Sequence, residues 1–175
     1  MRTAVITLVS VLVLSLAAWA GQTFTSTDGG YSITFPSGAK PVSMHQKQPS
    51  LAGELDCYMT AVARNDSAFF VGYVVYPQST FQNRSLVQPA LEMGANAVAN
   101  KLNGHVLQKS TFNYGSNPGL SASFDGKLNG QTMVGQANLL LVGNRLYMIY
   151  ALGETPQTLT NSEARNFFSS FRLLQ

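Results

Sequence analysis

The chain has 175 residues, only 11% of them charged, and 11 Lys and Arg against 8 Asp and Glu leave a formal net charge of +3. The basic residues are scattered so that no two adjoin, which gives no electrostatic footprint for nucleic acid. A lone cysteine, Cys57, excludes an intramolecular disulfide, and the length suits one domain large enough to fold without a disulfide or metal staple.

In chain order, the first element is a leader. Arg2 precedes an apolar run over 4–16, and the small residues Ala18 and Ala20 flank Trp19. This pattern reads as a secretory signal peptide, residues 1–20, cleaved after Ala20. The run approaches the ~20 apolar residues of a spanning helix. No basic stop-transfer cluster follows it, so no stable membrane anchor is expected after cleavage. No cysteine stands at the cleavage point, which argues against a lipoprotein. Residues 21–175 are then expected to be a single exported domain, periplasmic or secreted, its surface covered by Asn, Gln, Ser and Thr.

Residues 23–26 and 31–35 flank Asp28-Gly29-Gly30 and read as a hairpin, with Tyr31, Ile33 and Phe35 on one face. A strand is expected over 40–47. Residues 54–63 alternate, with Leu55, Cys57, Met59 and Ala61 on the core face and Glu54, Asp56, Tyr58 and Thr60 opposite. Residues 68–76 are apolar on both faces and so should be covered on both sides. The period then changes. Val87, Leu91, Gly94, Val98 and Leu102 recur at helical spacing over 85–103. The helix is started by a Ser85/Gln88 capping box, or by Gln88 with Pro89 in the first helical position. It is stopped by Asn103-Gly104. Strands return at 105–112 and around Leu120, Ala122 and Phe124. Asn129-Gly130 marks a tight hairpin into 132–142, and Gly143-Asn144 leads into 145–152. The runs 139–142 and 146–152 are nearly all apolar and should be central. A last helix, capped by Thr160 and Glu163, carries Phe167, Phe168 and Phe171 on one stripe. The order predicts an α+β fold, an antiparallel sheet with helices packed on it.

Two segments carry a resemblance. Asp28-Gly29-Gly30-Tyr31-Ser32-Ile33-Thr34-Phe35-Pro36 resembles the opening strand of exported PsbP-like and DcrB-like bacterial domains. Phe167-Phe168-Ser169-Ser170-Phe171-Arg172-Leu173 resembles their closing helix. The resemblance implies an α/β/α sandwich around an antiparallel sheet and a binding or assembly role rather than catalysis. It carries over no functional residue.

The residues themselves show no catalytic constellation. Cys57 with His105 could form a thiol pair, so a hydrolase or thiol enzyme is one alternative. The face of Leu55 and Met59 instead makes Cys57 a buried, reduced, inert thiol. Glu54 and Asp56 share a strand face that could hold a hard cation, but read as a solvated face, and His45 and His105 lack ligand spacing. No catalytic, metal or cofactor site is assigned. Gly115-x-x-x-Gly119 lacks the Lys of a phosphate loop. Asn65-Asp66-Ser67 and Asn83-Arg84-Ser85 are glycosylation sequons only in a host that glycosylates its exports. Tyr73, Tyr76, Tyr147 and Tyr150 could line a groove, but core packing accounts for them. The expected function is an exported, non-enzymatic binding or assembly module whose partner is another envelope or secreted protein. The second alternative is a carrier of a small apolar ligand walled by Phe70, Val74 and Tyr76. Nothing in the residues sets the oligomeric state.

Overall fold

The computed structural model describes residues 21–128 and 130–174. The expected leader, Asn129 and Gln175 lie outside the described residues. Strands β1 (Gln22–Ser26) and β2 (Tyr31–Phe35) form the first hairpin. Its turn ends on Gly30 at φ +67°, a backbone angle that side chains with a Cβ disfavour. Seven further strands, joined by six pairings, build the main sheet. They comprise β3 (Val42–Ser50), β4 (Gly53–Ala63), β5 (Ser67–Val75), β6 (Val106–Tyr114), β7 (Asn117–Leu128), β8 (Gln131–Val142) and β9 (Arg145–Gly153). All pairings are antiparallel, and the strand order is β3-β4-β5-β9-β8-β7-β6. The nearly all-apolar β9 occupies the centre, as its sequence requires, because a strand without a polar face needs neighbours on both edges and cover on both faces.

Helix α1 (Val87–Lys101) covers one face. Its Leu91, Ala95 and Val98 are buried in a cluster with Cys57, Met59, Leu139, Leu146 and Met148. Gly94 permits the close approach, since a Cβ there would collide with Leu139 Cδ2. The other face is covered by α2 (Pro156–Thr160), α3 (Ser162–Ser170) and the β1–β2 hairpin. Phe167 is fully buried there, edge-on to Phe69 and 5.4 Å from Phe35 between ring centroids. The sheet between two covering layers is the expected α/β/α arrangement. β5 is buried along both faces, as its composition predicts.

Local details differ from the sequence reading. α1 begins at Val87 without a side-chain cap. Asn83 instead accepts from the Ser85 backbone N–H, capping a 3₁₀ turn (Arg84–Leu86) that leads into the helix. Gln88 donates to Glu92 rather than capping, and Pro89 falls in the first turn, where its missing N–H leaves no intrahelical bond unmade. Asn103, at φ 50°, takes the left-handed position at the helix end that was expected of Gly104. The last helix is capped by Asn161, whose Oδ1 accepts from Ala164 N–H at 2.8 Å; Thr160 belongs to α2 and bonds back to its carbonyls. The chain leaves α3 before Phe171. Arg172 and Leu173 form β10 beside β2, completing a small sheet β1-β2-β10.

Candidate functional site

The most distinctive surface feature follows from strand register. His45 on β3 lies opposite Tyr58 on β4, Tyr58 opposite Tyr73 on β5, and Tyr73 opposite Tyr147 on β9. Directly opposed residues share a face and approach within side-chain contact. One aromatic row therefore crosses four strands. His45 stacks on Tyr58 at 4.8 Å and Tyr58 on Tyr73 at 5.3 Å, with interplanar angles of 13° and 22°. The Arg145 guanidinium sits 5.0 Å from the Tyr73 ring centre, a cation–π contact.

The row runs from core to solvent. Tyr147 and Tyr73 are buried, and Tyr58 is 44% exposed. Its inner end is fixed by the β1–β2 turn, where the Gly29 carbonyl accepts from Tyr147 Oη at 2.8 Å and from Arg145 at 2.7 Å. Its outer end is fixed by charge. Asp56 bonds His45 Nε2 at 2.7 Å and Lys47 Nζ at 2.8 Å. The hydrogen bonds from Lys47 and then His45 hold the Asp56 carboxyl below its ordinary range, and the same contact raises Lys47. Val42 and Met44, 61% and 40% exposed, share the edge strand with His45 but pair with Ala61 and Met59, so they project to the opposite, α1-side face. A cleft of about 310 Å³ between this edge and the first hairpin is lined by Phe24, Met44 and Tyr58 among others.

The structure disperses the residues considered for catalysis. Cys57 is completely buried beneath α1, whereas the His105 side chain is 87% exposed. Cys57 lies on β4 and His105 immediately precedes β6, and the two strands are five positions apart, or roughly 24 Å at normal strand spacing. Burial pushes the Cys57 thiol up. Asp56 is taken up by Lys47 and His45 rather than aligned with Glu54 on a cation. Near the His45–Asp56 pair, the Ser43 hydroxyl is hydrogen-bonded to the Thr60 hydroxyl at 3.1 Å rather than to His45 among the described residues. Tyr76 and Tyr150 are core residues, Tyr76 against Phe81 and Tyr150 stacked on Phe70. Phe70, Val74 and Tyr76 thus pack into the core under α1. The sequence reading missed the His45–Tyr58 stack, because the signal lies in the pairing of two strands and in neither strand alone. No helix among the described residues is long and apolar enough to cross a membrane.

No protein-family model matches the sequence, and no curated protein does so either. The fold itself is PsbP-like. Cyanobacterial PsbP (CyanoP) from Synechocystis sp. PCC 6803 is similar over 91% of this chain and 95% of its own, with a TM-score of 0.61 at 12% identity. A Bacteroides thetaiotaomicron protein is similar over 89% of this chain and 49% of its own, with a TM-score of 0.52 at 10% identity. The Saccharomyces cerevisiae Ran-binding protein Mog1p is similar over 90% of this chain and 97% of its own, with a TM-score of 0.51 at 10% identity.

Proposed function

We propose that this chain is an exported, non-enzymatic binding or assembly module that contacts another envelope or secreted protein through the His45–Tyr58 ledge and the β3 edge. The carrying observation is the half-exposed aromatic row. Tyr and Arg dominate binding hot spots because they bring large contact area with little rotamer entropy and retain a polar handle. Tyr58 is held in place by rings on both sides before any partner arrives, which lowers the ordering cost of association. That the similar Mog1p is a Ran-binding protein accords with a binding role for this fold, as a likeness of architecture only. The leader supports export, and the dispersed Cys57 and His105 support a role without turnover.

Capture from the native cell envelope tests this reading. The wild-type protein should retain one partner, and Tyr58→Ala should lose it while Leu107→Ser, at the opposite sheet edge, retains it. Equal capture by all three proteins would refute the ledge as the contact surface. Robust hydrolytic or redox turnover by the wild-type protein would refute the non-enzymatic assignment.

A further inference from the structure

The opposite side of the sheet carries a feature that the aromatic ledge does not use. Pro89, Met93, Ala97 and Lys101 follow one another at i+4 spacing on α1. Residues at that spacing form one stripe on a helix, here about 18 Å long at the helical rise. This stripe faces away from the buried one of Leu91, Gly94 and Val98. It forms one wall of a groove of about 710 Å³, and Pro49 and Leu51 at the tip of the β3–β4 hairpin form the other. That volume falls within the range of small-molecule sites, which are mostly apolar with a few placed polar groups.

The polar groups are distributed unevenly along the groove. Glu92, near the Pro89 end, is already engaged by Gln88 at 2.9 Å and Lys109 at 3.2 Å. Lys101, at the far end, makes no ion pair among the described residues. Although the residue is exposed as a whole, partial burial of its amine lowers its pKa. Asn100 beside it adds an amide donor. A single cation with no bidentate fork suits a head group of one negative charge rather than a phosphate recognised by arginine. An apolar channel one helix-stripe wide suits a single chain.

We propose that the groove between α1 and the β3–β4 tip binds a free fatty carboxylate, its chain along Met93, Pro89 and Leu51 and its head group on Lys101. The site goes beyond the protein-binding reading and is independent of it, since it lies on the other face of the sheet from Tyr58. A fatty carboxylate fits both ends of the groove at once, giving the unpaired ammonium an anion and covering the apolar wall.

The test uses protein expressed from the full chain with its own leader, titrated with dansyl-tagged undecanoic acid and then with palmitate or hexadecanol. The probe should bind saturably and be displaced by palmitate. Lys101→Gln should weaken palmitate by about tenfold or more, as expected for loss of one charge-assisted hydrogen bond, and leave hexadecanol unchanged. Ala97→Trp, on the outer side of the helix, should fill the groove and abolish binding of both; Met93→Asp serves the same purpose if the Trp variant does not fold. Equal binding of palmitate by wild type and Lys101→Gln overturns the carboxylate assignment. Absence of saturable probe binding to the wild type, or binding unaffected by both groove variants, overturns the site. Any of these failures leaves the Tyr58-dependent capture of a protein partner standing.

Discussion

At the residue scale, Cys57 shows how far one strand's pattern reaches. Alternation with Leu55 and Met59 placed it on the core face, and its side chain is completely buried. Cys57→Ser puts a hydroxyl among apolar neighbours and should cost about 1–3 kcal/mol, measured by urea unfolding. The native protein should resist thiol reagents and run as a monomer on non-reducing gels. A covalent dimer that disappears in the Ser variant would place the thiol at the surface. The buried tyrosines make a second prediction. Burial raises Tyr31 to about 12 and raises Tyr150 as well. A phenol whose folded pKa lies above its unfolded value of ~10 stabilises the fold fully below pH ~10 and loses that contribution as pH rises through the folded pKa. Stability should therefore fall between about pH 10 and 12, with tyrosinate absorbance rising alongside unfolding; full ionisation of all tyrosines near pH 10 in folded protein would contradict the packing. The partners of these residues were less legible. Nothing in residues 42–50 alone says that His45 faces Tyr58 or reaches Asp56, because that depends on register, which is set by the turn between two strands.

At the element scale, α3 concentrates its packing in one ring. Phe167 is fully buried among Phe35, Phe69 and Phe168, whereas Phe168 is only half-buried. Phe167→Ala should cost about 3–5 kcal/mol in denaturant unfolding, and Phe168→Ala distinctly less. A loss below about 1 kcal/mol for Phe167→Ala, near the ±0.5 kcal/mol typical of surface changes, would make the helix peripheral. The apolar stripes of both long helices were readable because burial demands a 3.6-residue period. The caps were not. Thr160 and Asn161 are adjacent cap formers, and the choice between them depends on α2, a one-turn helix whose end claims Thr160. The exit at Phe171 was equally hidden, since β10 exists only through its pairing with β2. The outer stripe of α1 passed unnoticed because Pro, Met and Ala among Asn and Gln do not stand out until the hairpin tip lies across from them.

At the scale of the whole molecule, the order of strands and helices and the doubly apolar β5 and β9 were enough to define a sheet covered on both faces. The path of the sheet was not readable, since β9 returns between β5 and β8 and so joins the two halves of the chain. The proposed export is tested on the whole chain as well: N-terminal sequencing of the protein recovered from the cell envelope should begin at Gly21, and a retained Met1 would contradict it. The central claim is that the solvent-facing His45–Tyr58 end of the aromatic row is a contact surface for a protein partner. Site-specific photo-crosslinking in living cells tests it most directly, with the reactive side chain placed at Tyr58 in one variant and at Leu107 in another. The account predicts a discrete crosslink to a single exported protein from position 58 and none from position 107. No adduct from position 58, or the same adduct from both edges, would contradict it.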